Sequence, residues 1–166
     1  LRPTKFGWVS GRGSARHPIR ERLEVNDDLE AFPRSEPVEV AAMEVVAGRL
    51  GKPLSSCLVA LQGLGEVGGR LAEKLAGKGV RLIVTDTVRG RSDAVVRATG
   101  ARAVAPDEIF DVECDLFSPC AAGAIVTAGV AGQLRCRAIV GAANNPLASP
   151  EVGEDLHRRG LLYAPD

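Results

Sequence analysis

No other part of this chain restricts its fold as much as Gly63-Leu64-Gly65-Glu66-Val67-Gly68, which follows the apolar run Leu58-Val59-Ala60-Leu61 and precedes Leu71, Ala72, Leu75 and Ala76 at helical spacing. An apolar run, glycines at this spacing and an amphipathic segment make a strand, a tight turn and a helix in succession. Each glycine has its own reason. Gly63 permits the sharp turn, Gly65 leaves the backbone bare where a pyrophosphate approaches, and Gly68 lets the helix pack closely on the strand. The start of such a helix offers free N–H groups and the positive end of its dipole, which favour an anion. A second apolar run, Val80 to Thr85, closes in Asp86. That is about twenty residues on, where a carboxylate accepts hydrogen bonds from both hydroxyls of an adenine ribose. The pattern reads as a dinucleotide site, and the carboxylate favours NAD over NADP. Arg89 and Arg91 are within reach of a 2′-phosphate but are read as surface-loop residues. The competing reading is that the glycines serve only a tight turn.

Beyond the turn, short apolar runs alternate with helical or turn-rich pieces, giving strand candidates near 56–62, 80–85, 102–104, 115–117, 138–141 and 161–163. Runs such as Leu58 to Leu61 and Ala138 to Val140 are apolar throughout, as strands covered on both sides are. The fold class expected is α/β: a Rossmann-type doubly wound, mostly parallel sheet with helices on both faces. Upstream, residues 1–32 carry no sustained period, with Phe6, Trp8 and Val9 as anchors, and read as an irregular leader. Residues 33–52 read as a linking helix with Val40, Met43, Val46 and Leu50 on one face and Gly51 as its stop. Residues 53–166 read as the nucleotide domain, incomplete at its C-terminal end.

Length and charge narrow the function classes. A chain of 166 residues holds one domain with a sizeable core and has no room for a full substrate domain beside it. It starts at Leu1 and stops just after an apolar run, so it reads as a fragment or truncated product. With 21 basic and 21 acidic residues interspersed, nothing points to a nucleic-acid groove or an anionic membrane surface. No run is long enough to span a bilayer, and the first residues lack a signal-peptide pattern. Cys57, Cys114, Cys120 and Cys136 have neither C-x-x-C spacing nor partnering histidines, so no metal site is expected and they read as the reduced cysteines of a cytoplasmic protein. Cys120 follows Pro119 at a strand end, a position with a possible site role, although a small buried filler is the plainer reading.

In a doubly wound sheet, ligands sit beyond the carboxyl ends of the strands. Besides the glycine turn, two such ends stand out: Phe117-Ser118-Pro119-Cys120-Ala121-Ala122-Gly123 and Val140-Gly141-Ala142-Ala143-Asn144-Asn145-Pro146. Their small residues let backbone groups approach a flat ring, and the asparagines add amide groups at the same rim.

These segments, in this order, resemble the C-terminal NAD-binding domain of the glutamate, leucine, phenylalanine and valine dehydrogenase family, most of all its phenylalanine and leucine branch. The resemblance rests on LQGLGEVGGRLAEKL, VTDT, CDLFSPCAAGAI, AIVGAANNPL and LHRRGLLYAPD, and covers most of the chain from about residue 55. It implies reversible oxidative deamination of an L-amino acid to its 2-oxo acid and ammonia, with NAD as cofactor. It also implies roles for single residues. Gly63, Gly65, Glu66, Val67 and Gly68 match the pyrophosphate loop, and Asp86 with Thr87 the adenosine-ribose contacts. Ala121, Ala122 and Gly123 match the segment beside the second ribose. Ala142, Ala143 and Asn144 match the nicotinamide-side loop, where the asparagine also meets the substrate carboxylate; Asn145 is the neighbour if that alignment slips by one. Ser35 stands where similar enzymes use a threonine to contact the nicotinamide amide, although Val38 replaces the family's glycine nearby.

The catalytic groups of similar enzymes, two lysines and an aspartate, lie in an N-terminal domain this chain lacks, so no catalytic residue is expected within it. Lys5, Lys52, Lys74 and Lys78 are in the wrong places to substitute, the last two on a solvated helix face, and His17 and His157 read as surface residues. The substrate, an L-amino acid or 2-oxo acid, would be met together with that missing domain, and the full-length protein is expected to be a homo-oligomer. The competing reading is a catalytically silent NAD-sensing or degenerate Rossmann module.

Overall fold

Strands that are apolar on both faces must be covered on both faces, and this chain supplies helices to each side in turn. The computed structural model describes residues 37–121 and 123–164. Helix α1 (Val38–Arg49) leads into strand β1 (Leu58–Gln62) through a short 3-10 turn (Leu54–Ser56). Then follow α2 (Glu66–Gly77), β2 (Arg81–Thr85), α3 (Arg89–Thr99) and β3 (Arg102–Ala103). After a second 3-10 turn (Glu108–Asp111) come β4 (Leu116–Pro119), α4 (Ala128–Gln133), β5 (Ala138–Val140), α5 (Pro150–Arg158) and β6 (Leu162–Ala164).

All pairings are parallel, and the order across the sheet is β3-β2-β1-β4-β5-β6. The chain winds outward from β1 to β3, crosses back, and winds outward again from β4. The two directions part between β1 and β4, which is where a doubly wound sheet opens a crevice. The expected Rossmann-type fold is therefore the one observed.

Alternation along β1 distributes the core. Val59 and Leu61 face one layer, with Met43 and Val46 of α1, Leu71 and Leu75 of α2, and Val95 of α3. Ala60 faces the other, with Ile83, Ile109, Phe117, Ile139 and Leu156. Most of these side chains are fully buried, each contributing about 1.5–3 kcal/mol for the large ones. Helix α1 begins at Val38 with Pro37 in the N-cap position, where the N–H a proline lacks costs no helical hydrogen bond. Val40, Met43 and Val46 are buried and Leu50 is half-buried.

Polar contacts pin the amino end of the sheet and a helix on its second face. At the amino end, the Asp115 carboxylate accepts from the Leu58 N–H at 2.8 Å and pairs with Lys52 at 2.7 Å. On the second face, the Arg159 guanidinium donates to the carbonyls of Ala131 and Leu134, at the close of α4. Helix α4 is capped at its start by Thr127, whose hydroxyl accepts from the Val130 N–H at 3.2 Å.

Three sequence expectations need correcting. Strand β4 does not stop at residue 117 but runs through Ser118 and Pro119. A proline at the end of an interior strand is accommodated because its neighbour just past β5 is Gly141, where a β-carbon would fall 2.7 Å from the Pro119 ring. Arg89 and Arg91 lie in the first turn of α3, not in a loop. Lys78 is not on a plain solvated face, since it bridges to Glu44 of α1 at 2.8 Å.

Candidate functional site

The register places the three distinctive strand ends side by side. Gln62 is level with Thr85 on β2 and Pro119 on β4, so Gly63, Asp86 and Cys120 stand one step beyond them on adjacent strands. Ile139 is level with Phe117, which sets Gly141 beside Pro119. One crevice rim thus gathers residues far apart in sequence.

Within the turn the glycines divide by what they meet. Gly63 has φ +93°, and a β-carbon there would fall 2.6 Å from the Ala121 N and 2.8 Å from its Cβ. At Gly68 a β-carbon would run into the Gly63 carbonyl and lie 3.1 Å from the Cys120 Cβ. These two positions are bare because the protein itself fills the space. At Gly65 a β-carbon would meet nothing within 4 Å. Its φ of −65° suits any residue. Open space over a glycine at the start of α2, whose first N–H groups have no helical acceptor, fits the phosphates of a dinucleotide. Glu66, the acid nearest that end, is turned to Arg70 at 3.0 Å, which offsets its charge.

Asp86 is tied to the same turn. Its side chain is only 6 % exposed, one oxygen accepting from the Leu64 N–H and the other from the Val88 N–H, both at 2.7 Å. Arg91 stands 3.6 Å from the second oxygen. Each carboxylate oxygen keeps a lone pair beyond these bonds, so acceptor capacity for ribose hydroxyls remains. Thr87 and Val88 beside it are exposed.

The loops after β4 and β5 lock together over the other half of the rim. The Cys120 N–H donates to the Gln62 carbonyl at 2.7 Å, and the Ala143 N–H to the Pro119 carbonyl at 3.0 Å. The Ala124 N–H donates to the Asn145 carbonyl at 2.8 Å, and a β-carbon at Gly123 would strike the Asn144 carbonyl. Ala124 and Asn145 hold φ of 58° and 48°. Left-handed backbone in non-glycine residues costs about 1–3 kcal/mol each and clusters at functional sites. Asn144 is exposed at this rim, Ala142 is half-buried and Ala143 buried. Ser35 and Ala122 lie outside the described residues.

Cys120 is partly covered, with Sγ 3.5 Å from the Ser118 Oγ. Burial pushes its thiol up, outweighing the Ser118 hydroxyl and the Ala142 N–H, which pull it down. Glu39 in the first turn of α1 adds to the rise. Burial likewise drives Cys114 to about 12 and Cys136 to about 11. None of these is a thiolate nucleophile at neutral pH. Among the described residues no group of three His, Cys, Asp or Glu is placed to hold a metal, and no helix is long and apolar enough to cross a membrane. The described lysines lie elsewhere: Lys52 with Asp115 at the opposite end of the sheet, Lys78 with Glu44, and Lys74 exposed on α2.

Two rim residues were not anticipated. Leu64 enters through its backbone N–H, which no side-chain pattern reveals. Gln62 ends an otherwise apolar strand, and its Oε1 is buried with no partner among the described residues; that polar residue at a strand terminus was the available signal.

Comparison with known proteins agrees with this geometry. The model of the Glutamate/Leucine/Phenylalanine/Valine dehydrogenase family matches residues 85–166. A leucine dehydrogenase of Thermoactinomyces intermedius is 43% identical over 113 residues, 68% of this chain and 31% of that protein. A phenylalanine dehydrogenase of Bacillus thermotolerans is 37% identical over 118 residues, 68% of this chain and 31% of its own length. The solved structure of L-tryptophan dehydrogenase from Nostoc punctiforme superposes with a TM-score of 0.71 at 36% identity, over 75% of this chain and 38% of that one. The chain thus spans about a third of the length of the curated relatives it matches, and the part it spans corresponds to the NAD-binding region of such dehydrogenases. Residues 85–166 of this chain match the Glutamate/Leucine/Phenylalanine/Valine dehydrogenase family, with the glycine turn directly upstream in the same sheet.

Proposed function

We propose that this chain is the cofactor-holding part of an NAD-dependent L-amino-acid dehydrogenase. The overall reaction converts an L-amino acid, NAD and water into the 2-oxo acid, ammonia, reduced NAD and a proton, and runs in both directions. The observation that carries this reading is the division of the glycines: Gly63 and Gly68 are bare for the protein's sake, whereas Gly65 is bare beneath open space, next to a buried carboxylate fastened to the same turn.

The bound dinucleotide supplies the hydride acceptor. The chain's own part is orientation. The first N–H groups of α2, at Glu66, Val67 and Gly68, face the pyrophosphate, and Asp86 with Thr87 accepts the adenosine ribose. Ala121, Ala122 and Gly123 flank the second ribose. Ala142, Ala143 and Asn144 line the nicotinamide, with Asn144 also reaching the substrate carboxylate. The Ala124 N–H donation to the Asn145 carbonyl ties these two loops together, so the ring is presented in one pose. Helix α1 is the element through which residues 33–52 would join a substrate domain and bring Ser35 to the nicotinamide.

The acid–base groups and the choice of amino acid belong to that further domain, as does assembly into a homo-oligomer; the free cysteines suit a cytoplasmic protein. A second reading, an NAD-binding module without catalysis, is favoured by one observation: none of the described lysines reaches the rim. Calorimetric titration with NAD tests the shared part. Asp86→Ala is expected to weaken binding tenfold or more, about 1.4 kcal/mol, and unchanged affinity would refute the ribose assignment. Amino-acid-dependent reduction of NAD by a protein that joins this segment to its substrate domain separates the two readings.

A further inference from the structure

Two of the free cysteines stand level on neighbouring strands. Leu116 of β4 is the register partner of Ala138 on β5, and three residues earlier Glu113 forms a parallel bridge with Arg135. Both pairs keep the same offset, so Cys114 and Cys136 lie opposite each other between them. The backbone stays joined across this step: the Cys114 N–H donates to the Arg135 carbonyl at 3.4 Å, and the Arg137 N–H to the Asp115 carbonyl at 3.0 Å. Adjacent strands run about 4.7–4.9 Å apart, inside the Cα separation of about 4.4–6.8 Å that a disulfide spans. Strict alternation from Phe117 and Ile139, which face the second layer, would turn both cysteines away from it. The chain instead bends at Asp115 and again at Arg137, and both thiols end on that second face. Cys136 belongs to its core and half-buried Cys114 packs against it. Burial, and after it the charge of Cys136, push the Cys114 thiol up to about 12, and a like charge has that effect at close range.

We propose that Cys114 and Cys136 form a reversible disulfide site, closed by exchange with a low-molecular-weight disulfide, which staples β4 to β5 at the end of the sheet opposite the cofactor rim. Cys114, the more open of the two, reacts first. It loses its proton, and its sulfur attacks one sulfur of the small disulfide; that S–S bond breaks, and the released thiolate takes up a proton. Cys136 then loses its proton and attacks the Cys114 sulfur, and the second small thiolate leaves and is protonated in turn. Two protein thiols are oxidised to one disulfide while one small disulfide is reduced to two thiols. The thiolate is the attacking species. Burial holds both groups up, aided at Cys114 by Asp115 and opposed by the Ala60 N–H. At Cys136 burial prevails over backbone N–H groups and the Arg159 guanidinium, leaving it at about 11. Closure is therefore slow at neutral pH, and its rate rises about tenfold per pH unit below these values.

The test is to incubate the whole chain, folded, with oxidised glutathione at about pH 7 and about pH 9, alkylate the remaining thiols, and map the peptides by mass spectrometry. The expected product joins the peptides of Cys114 and Cys136, forms faster at the higher pH, and is undone by dithiothreitol. Cys57 and Cys120 should be recovered alkylated. The oxidised chain should melt about 5 °C or more above the reduced one, because the link closes residues 115–135 into a loop. Cys114→Ser, whose fold is checked by its reduced melting curve, should lose both the cross-link and the gain in Tm. The proposal is overturned by a wild-type map in which a glutathione adduct persists on Cys114, in which Cys114 or Cys136 bridges to Cys57 or Cys120, or in which both thiols remain free. It is equally overturned if the linked chain melts no higher than the reduced one.

Discussion

Alanine placed at Gly65 and at Gly68 makes the same chemical change in one turn, yet the structure assigns the two substitutions opposite consequences. At Gly68 the new methyl meets the Gly63 carbonyl, with the Gly63 carbonyl carbon at 3.0 Å and the Cys120 Cβ at 3.1 Å. That neighbour is backbone, held by the Gly63 N–H donation to the Thr85 carbonyl at 2.9 Å and by a φ of +93°, so no rotamer change relieves the clash. Overpacking costs about 1–3 kcal/mol, and the upper end applies. Alanine returns about 1 kcal/mol of helix propensity relative to glycine, leaving a net loss of about 2 kcal/mol. For a domain of this size that is a fall in Tm of about 4–8 °C. At Gly65 the methyl meets nothing and the N-cap backbone is one alanine adopts. Replacing a glycine N-cap by alanine costs up to about 1 kcal/mol, and the smaller entropy of the unfolded chain returns about 0.4–1 kcal/mol. Stability should therefore hardly move, while the methyl occupies the space assigned to the pyrophosphate and NAD affinity falls about tenfold or more, at least 1.4 kcal/mol. Thermal unfolding followed by circular dichroism reads the first quantity and calorimetric titration the second. If Gly65→Ala unfolds as early as Gly68→Ala, or binds NAD as tightly as wild type, the division between protein-filled and ligand-filled space is wrong.

The clamp at the amino end of the sheet has a definite pH signature. Burial pushes the Asp115 carboxyl up, but the Lys52 ammonium and the Leu58 N–H pull it further down, so its net value lies below the ordinary one. A depressed acid stabilises the fold above its unfolded value, about 3.9, and loses that contribution as pH falls through the folded value. Asp115→Asn should thus lower unfolding free energy by about 1–2 kcal/mol at pH 7, with the gap to wild type closing below about pH 4 in urea titrations. Arg159→Ala removes both donors to the Ala131 and Leu134 carbonyls. A loss of about 1–3 kcal/mol is expected from these charge-assisted bonds, together with faster hydrogen exchange in α4; unchanged exchange there would show that α4 does not depend on this cap.

Element types were legible because hydrophobic period is a local property. The apolar runs locate the six strands to within a residue or two, except where Pro119 extends β4, and that depended on Gly141 just past the neighbouring strand. Gly63, Gly68 and Asp86 were legible as a motif, and so was their common rim, because strand ends of a doubly wound sheet share one side. Arg91 was not. Two residues apart on a surface segment, Arg89 and Arg91 look alike in sequence, and only the packing of α3 brings one of them to the Asp86 carboxylate.

By itself, the sequence determined which segments become strands and helices, where the sharp turn falls, and which small and acidic residues lie at strand ends. Tertiary structure decided why each glycine must be bare. Ala121, from the far side of the crossover, fills the space at Gly63, the turn's own carbonyl fills it at Gly68, and nothing in the protein fills it at Gly65. It also decided that the Asp86 carboxylate is anchored by the Leu64 N–H and faced by Arg91. The physical reason is range. Periodicity and turn chemistry act over a few residues, whereas contacts across a parallel sheet join segments separated by whole crossovers, and their partners follow only from strand order and register.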